Sequence, residues 1–332
     1  MLNAKTKRAA ATAAVAAAVT SAAAAAGADG RNAFGQPDLQ GYWTNNTVVP
    51  FERPPELADK PFFTEEEAAE FTRRRLGPQE TEPGTAEDVH YQLTDFGLDH
   101  SQNGVVPNLR TSLVVDPPNG RLPPLKPEAA EAARRRVEYQ REHGFDSAQD
   151  RSLAERCIIW SHQIPIIPVG YNSNLQIYQA RDYAVIQTEM MPDARIVPLD
   201  GRPPLPDAIR QWLGDSRGRY EGDALVIETT NFTGKSNIRG MPPGALLSRD
   251  ARVTERFERV DDDRLLYRAT VEDPFNWAVP WTIEYPLARI EGPMFEYACH
   301  EGNYGLANTL SGARAEERAA AEAARKGGGE ND

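Results

Sequence analysis

The sequence predicts a mainly β protein, an antiparallel barrel or sandwich with an extended and helical N-terminal segment wrapped on its outside. Two observations lead to this prediction. After Cys157 the chain alternates short runs of β-branched and aromatic residues with turn-forming residues, at the spacing of successive hairpins. Before Cys157 it is rich in proline and carries two helical patterns, with too few apolar positions for a core of its own.

The start of the chain has the pattern of a targeting segment. A basic start is followed by an Ala/Val run from Ala9 to Val19 and by small residues up to Ala26. A secretory signal peptide has its charged region, apolar region and cleavage site in this order. We expect residues 1–26 to be a signal peptide, with an N-terminal membrane anchor as the alternative. The mature protein is then periplasmic or secreted and has no membrane span.

The overall charge bears on the class of partner. The 332 residues include 37 Lys and Arg against 49 Asp and Glu, for a formal net charge of -12. This balance argues against a nucleic-acid binder, because a duplex requires a basic face. We expect a small-molecule substrate or ligand instead. The sequence contains no CxxC, HExxH, P-loop or GxGxxG motif, so we expect neither a metal nor a nucleotide cofactor.

The N-terminal wrap is predicted over residues 27–154. Thr64 followed by Glu67 forms a capping box, which predicts the start of a helix that ends before Gly77. The polar, aperiodic stretch Gln79–Gly104 is predicted to be a loop.

A short strand at Thr111–Val115 and a second helix from about Pro127 to Glu142 complete the wrap. The second helix is strongly charged, and we interpret its run Arg134–Arg136 as a solvated face. An anion-binding site is the alternative interpretation of that run.

The β domain is predicted over residues 155–312, followed by a polar helical tail at 313–332. One short helix, Pro206–Leu213, interrupts the strands. The predicted strands are Leu175–Ala180, Tyr183–Met190, Arg195–Leu199, Asp223–Phe232, Arg252–Val260, Arg264–Val271, Trp281–Ile290 and Met294–His300.

The only two cysteines of the sequence are Cys157 and Cys299. In an oxidising compartment they could form one disulfide that closes a long loop. Two buried free thiols are the alternative, because the sequence does not show whether the two positions approach each other.

The segment between the predicted short helix and the next strand is rich in turn-forming and charged residues. It could be a rim loop that offers Asp215 and Arg217 to a ligand, with Trp212 as an apolar wall. Alternatively, Asp215 and Arg217 pair with each other and hold the loop in place.

Four residues are candidates for acid/base catalysis. Residues two apart in a strand share a face, so Glu296, Ala298 and His300 lie on one side of the predicted last strand. An unperturbed histidine titrates near neutrality, which favours His300 as acid or base, with Glu301 beside it. Glu255 lies between apolar neighbours and is either a buried general acid or base or a solvent-facing carboxylate. A purely structural role for His300 is the alternative.

Aromatic residues of the predicted strands could line a ligand cavity. Tyr267, Tyr285 and Trp281 face the same way as apolar neighbours, and together with Trp212 they could form its walls. Asn303 follows Gly302, where the backbone can approach a ligand closely, and is a further candidate for ligand binding.

Several runs of residues together carry a resemblance to known sequences. They are Gly41–Trp43, Asp193–Arg202, Gly214–Gly218, Glu221–Asp223, Thr229–Thr233, Glu255–Phe257 and Cys299–Tyr304. Over nearly the whole mature chain they resemble a largely uncharacterised family of exported bacterial proteins, which implies export but no particular activity. Gly41-Tyr42-Trp43 is also similar to the first-strand signature of lipocalins, which implies a calycin-like barrel.

Two hypotheses for the function follow. The first is a cofactor-independent lyase, isomerase or hydrolase that uses His300 and a buried carboxylate, Glu255 or Glu296, on a small organic substrate. The second is a non-enzymatic periplasmic protein that binds an apolar or aromatic ligand. An enzyme requires these titratable groups to converge on one cavity, whereas a carrier requires mainly an apolar lining.

Overall fold

The computed structural model describes residues 30–76, 105–169 and 172–327. The predicted signal peptide and the predicted loop Gln79–Gly104 lie outside these residues. None of the helices within the three described ranges has the length and hydrophobicity needed to cross a membrane.

The described residues form one ten-stranded antiparallel sheet, so the prediction of a mainly β, antiparallel protein is confirmed. Seven of the eight strands predicted for the β domain are present, with ends shifted by no more than two residues, and the predicted strand Thr111–Val115 is present as the shorter Val114–Asp116. The strands are β1 Gly41–Thr44, β2 Val114–Asp116, β3 Asn174–Gln179, β4 Tyr183–Thr188, β5 Ala194–Pro198, β6 Asp215–Glu221, β7 Ala224–Thr230, β8 Arg252–Arg259, β9 Arg264–Glu272 and β10 Trp281–Ile290.

The sheet has the strand order β5-β4-β3-β1-β10-β9-β8-β7-β6, and β2 pairs with β10 beside β1. Its two end strands, β5 and β6, come within 8 Å of each other between Cα atoms. They are not hydrogen-bonded neighbours in the described sheet. The sheet is therefore strongly curved but is not closed into the predicted barrel.

The N-terminal segment contributes more than an outer wrap. β1 lies between β3 and β10 in the middle of the strand order, and β2 adds to the same edge of β10. Trp43 of β1 has no exposed surface. The sequence did not predict β1. A four-residue strand carries almost no periodic signal, and the residues around it are rich in proline.

Within the described residues three α-helices accompany the sheet: α1 at Glu65–Leu76, α2 at Pro127–His143 and α3 at Gly305–Gly327. The capping box of α1 is confirmed, since the Thr64 amide donates to Glu67 Oε2 at 2.8 Å and the Glu67 amide donates to Thr64 Oγ1 at 3.2 Å. The predicted helix Pro206–Leu213 is wrong, because this stretch contains two short turns and an isolated bridge at Gln211 but no helix.

The predicted strand Met294–His300 is also wrong. After β10 the chain turns at Gly292, and residues 291–298 form no regular element. Strand β10 already pairs with β9 on one side and with β1 and β2 on the other, so no edge of β10 is left for a further hairpin strand. The segment instead crosses the sheet beside Tyr42 of β1, and a Cβ atom on Gly292 would lie 2.5 Å from the Tyr42 ring.

The concave side of the curved sheet is filled by the protein's own side chains. One contiguous core joins apolar residues of β1 to β10 with the loop residues Ile164, Ile166 and Ile167. Trp281, Phe257 and Tyr267 are among its largest fully buried members. The interior is thus a packed core, as in small barrels whose lumen is filled by side chains.

Candidate functional site

Glu255 lies in the packed core and has no exposed surface. Its carboxylate is paired with the buried guanidinium of Arg195, whose Nη2 lies 3.1 Å from Oε1 while Nη1 donates to Oε2. The Tyr267 hydroxyl donates to the same Oε1 at 2.7 Å. A buried charge requires a partner and hydrogen bonds of this kind, so these contacts indicate a structural role for Glu255.

Tyr267 and Tyr285 hold a core loop instead of lining a ligand cavity. The Ile166 amide donates to the Tyr267 hydroxyl at 2.8 Å, and the Tyr285 hydroxyl donates to the Ile166 carbonyl at 2.6 Å. Burial raises the pKa of both phenols well above their ordinary value. The two hydroxyls therefore satisfy backbone groups that would otherwise be buried without partners.

The remaining predicted catalytic residues lie elsewhere. Glu296, His300 and Glu301 are all exposed, on the segment that follows β10. Glu255 is enclosed in the core, so the structure does not bring Glu255, Glu296 and His300 together at one cavity. The prediction that Glu296 and His300 share a strand face is wrong, since that strand does not form.

Asp215 and Arg217 belong to β6, which the sequence reasoning took for a loop. Arg217 Nη1 donates to Asp215 Oδ1 at 2.6 Å, and the Leu205 amide donates to Asp215 Oδ2 at 2.8 Å. The Arg217 Nε also donates to the Pro203 carbonyl. The pair holds the preceding turn against β6, which is the structural alternative considered for these residues.

Cys157 and Cys299 form a disulfide, with their Cα atoms 5.8 Å apart. The bridge joins the segment after β10 to the loop before β3. Asn303 lies just beyond it, and its Oδ1 accepts from the Gly305 amide at the start of α3 at 3.1 Å. This bond indicates a capping role for Asn303.

Trp212 lines a cavity of about 850 Å³ between α2 and two loops. We call this cavity the helix–loop cleft. Its lining residues come from α2, from the loop after it and from two later turns: Arg136, Val137, Tyr139, Gln140, Arg141, Gln149, Asp150, Arg151, Ser152, Leu153, Glu155, Arg156, Trp212, Lys235, Asn237, Pro243, Gly244 and Leu246.

A close approach of one loop to α2 forms one wall of the helix–loop cleft. Gly244 has a φ of +75°, and a Cβ atom there would lie 2.2 Å from the Ala133 carbonyl oxygen. Arg136 Nη1 donates to the Gly244 carbonyl at 3.0 Å. Only glycine permits this approach, so the wall depends on Gly244 and Arg136.

The helix–loop cleft carries an excess of positive charge. Its lining contains five cationic residues and two acidic ones, which leaves a surplus of three. Glu155 is paired with Arg151, and Asp150 accepts from Ser147 and Tyr139. Within the described part of the chain, the Lys235 ammonium group has no hydrogen bond or ion pair, and only the backbone amide of this residue donates, to Thr233 Oγ1.

The arginine run of α2 is divided between two environments. Arg134 and Arg135 pair with Glu131 on the solvent side of the helix, as expected for a solvated face. Arg136 and Arg141 line the helix–loop cleft instead. The sequence did not indicate Arg141 and Lys235 as site residues. They line the same cleft only because the loop that carries Lys235, more than 90 residues further along the chain, packs near α2.

A second cavity of about 390 Å³ lies on the outer face of the sheet, beneath the segment after β10. We call it the sheet-face pocket. It is lined by residues of β1, β3 and β4, by the stretch directly after β4 and by residues 291–299 after β10, which we call the crossing segment: Tyr42, Gln176, Tyr178, Gln187, Glu189, Pro192, Met294, Phe295, Glu296 and Tyr297.

Among the described residues, no group of three or more His, Cys, Asp and Glu side chains could hold a metal ion. Comparisons with protein-family models, with curated proteins and with solved structures find no match to the chain. The physical character of the two cavities is therefore the basis for a functional proposal.

Proposed function

We propose that the protein is an exported binding protein that holds a small organic anion with an apolar or aromatic body in the helix–loop cleft. The observation that carries this proposal is the combination of an apolar lining with surplus positive charge in one cavity of about 850 Å³. Cavities of roughly 300–1,000 Å³ suit small organic ligands.

The apolar part of the cleft suits the body of such a ligand. Leu153, Leu246 and the half-buried Trp212 offer apolar surface inside it, and Val137 of α2 is 43% exposed there. Exposed apolar surface gains free energy when a ligand covers it. A flat aromatic ring can also stack on the Trp212 indole.

The polar part of the cleft suits an anionic head group. Lys235 and Arg141 stand at the cleft without a buried partner, since Lys235 is unpaired in the described residues and Arg141 contacts only the exposed Glu142. The whole chain has a net charge of -12. A local surplus of positive charge on such a chain attracts anions to this one place.

The enzyme hypothesis has less support. It requires Glu255, Glu296 and His300 to converge, whereas Glu255 is in the core and the other two are exposed. The alternative, a binding protein with Trp212 as an apolar wall, agrees with the position of Trp212 in the cleft. The disulfide supports the proposal of an exported protein, since disulfides persist in oxidising compartments. We also propose that the curved sheet is related to the barrels of calycins.

Calorimetric titration with naphthalene sulfonate tests the proposal, because this probe joins an aromatic body to an anionic head. We expect a dissociation constant in the range of about 10–100 µM, typical for a ligand of this size. The uncharged naphthalene methanol should bind at least about tenfold more weakly, since it loses its attraction to the cationic residues.

A matched pair of double variants assigns the binding to the cleft. R141Q/K235Q removes two positive charges that line it, and R134Q/R135Q removes two from the solvent side of α2. The first variant should weaken sulfonate binding by about tenfold, because each exposed charge contributes up to about 1 kcal/mol, and the second should leave it unchanged. Equal effects of the two variants, or no binding to the wild type, would contradict the proposal.

A further inference from the structure

The sheet-face pocket differs in chemistry from the helix–loop cleft. Four of its lining residues are aromatic, namely Tyr42, Tyr178, Phe295 and Tyr297, and two are carboxylates. No Lys, Arg or His is among the described residues that line it. The pocket therefore combines aromatic faces with negative charge and has no internal cation to balance it.

Glu189 is the central group of this pocket. Only 1% of its surface is exposed, although it lines the pocket. Its Oε2 accepts from Asn174 Nδ2 at 2.6 Å, and its Oε1 accepts from the Phe295 amide at 3.0 Å. No ion pair to Glu189 exists within the described residues. The two neutral donors fix the carboxylate in position without neutralising it.

The other wall of the pocket is fastened at both ends. Gly292 adopts a φ of +62° against the Tyr42 ring, and the Cys157–Cys299 disulfide anchors the end of the crossing segment. Tyr297 and Cys299 also pack on a small apolar cluster around Met190 and Met191. The aromatic residues of the segment are therefore held over the sheet before any ligand arrives.

We propose that the sheet-face pocket binds a small organic ammonium ion. The faces of aromatic rings attract cations, and alkylated ammonium groups are recognised by clusters of such rings. A buried carboxylate without a cationic partner gains a counter-ion when the ligand binds. A metal ion is disfavoured, because no group of three or more acidic, His or Cys ligands exists among the described residues.

Calorimetric titration with choline tests this site, and the neutral isostere 3,3-dimethylbutanol serves as the matched ligand. Choline should bind with a dissociation constant below about 1 mM, and the neutral isostere at least about tenfold more weakly, because only choline carries the charge. Equal affinities of the two ligands, or no heat from choline, would overturn the proposal.

Variants place the binding at the pocket. Glu189→Gln should weaken choline binding by about tenfold or more, because it removes the buried counter-charge. Glu291→Gln removes an exposed carboxylate of the same segment that does not line the pocket, and it should have no effect. A folded Glu189→Gln variant with unchanged choline affinity would refute the assignment.

Tyr178 offers a second pair of variants that does not touch the buried carboxylate. Its ring is 44% exposed on β3, so substitutions there are tolerated more readily than at Glu189. Tyr178→Phe keeps the aromatic face and should retain choline binding, whereas Tyr178→Leu should lower the affinity several-fold. Equal affinities of these two variants would contradict a role of the ring faces.

Discussion

The buried pair of Arg195 and Glu255 connects two distant strands, β5 and β8, through the interior of the curved sheet. Burial disfavours the charged form of Arg195, but the adjacent Glu255 carboxylate outweighs it and raises the guanidinium pKa above its ordinary value. The Arg195 guanidinium is therefore charged despite its burial. Removing both charges from water costs free energy, which their mutual attraction offsets. Removing one partner therefore leaves the other as an unpaired buried charge.

Glu255→Gln should destabilise the protein by about 3–5 kcal/mol, because Arg195 would be left as a buried charge without a counter-ion. Urea unfolding measures this loss. Glu258→Gln, a control on the same strand that removes a partly exposed partner of Arg256, should cost less than about 1 kcal/mol. A loss at Glu255 as small as that at Glu258 would show that the pair does not stabilise the core.

His162 makes the stability sensitive to acid. It is 3% exposed, and neither ring nitrogen has a hydrogen-bond partner among the described residues. Burial lowers its pKa to about 4. Above about pH 6.5 the ring is neutral in both the folded and the unfolded chain. Below that value the His162 ring is protonated in the unfolded chain. In the folded protein it stays neutral until the pH falls to about 4.

The His162 contribution should therefore lower the free energy of unfolding by on the order of 3 kcal/mol as the pH falls from about 6.5 to about 4. Urea unfolding at several pH values should show a shallower fall for His162→Leu than for the wild type. His300→Gln, at an exposed histidine, is the control and should leave the slope unchanged. Identical slopes for His162→Leu and the wild type would contradict the assignment.

At the scale of elements, the sequence predicts those strands that have both a clear alternation and clear turns. β10 is predicted with the correct ends, and the ends of β8 and β9 are correct to within one residue, because each carries apolar residues at most of its alternate positions. β6 was missed, since its sequence is charged and contains Gly218. A Cβ atom at Gly218 would lie 2.7 Å from the Leu199 side chain, so a larger residue there would displace that side chain.

The sequence predicts the candidate sites less well than it predicts the strands. Trp212 was chosen as a ligand wall and does line the helix–loop cleft, but the approach of α2 to Gly244 that forms the cleft has no sequence signal. Glu189 was missed because it lies near the end of the predicted strand Tyr183–Met190 and belongs to no motif. Its burial arises from the crossing segment, which reaches it from more than 100 residues away along the chain.

The disulfide is the element that fixes the crossing segment. The double variant C157S/C299S should lose about 2–5 kcal/mol of stability, because the bridge closes a loop with a sequence separation of 142. It should also weaken choline binding, since the segment with Phe295 and Tyr297 is no longer anchored. Sulfonate binding should remain, because Cys157 and Cys299 do not line the helix–loop cleft.

Parallel calorimetric titrations of the double variant with the two probes check this expectation. Unchanged choline affinity in a folded double variant would show that the segment holds its place without the bridge. An equal loss for both probes would indicate that the whole protein is disturbed, which contradicts a local role of the bridge.

For the whole molecule, the distribution of charge divides the surface between two kinds of ligand. The net charge of -12 favours cations in general, while the helix–loop cleft concentrates positive charge. Electrostatic attraction at exposed groups is screened by salt. Raising the ionic strength from about 0.01 M to about 0.15 M should weaken sulfonate binding several-fold and leave naphthalene methanol binding unchanged. Titrations at both salt concentrations measure this difference, and a sulfonate affinity independent of salt would contradict it.

A crystal structure of the protein with naphthalene sulfonate bound tests the proposed anion site most directly. We expect the probe in the helix–loop cleft, with its ring against Trp212 and its sulfonate within hydrogen-bond distance of Arg141 or Lys235. A probe bound inside the curved sheet, or at the sheet-face pocket with the cleft empty, would contradict the proposed function.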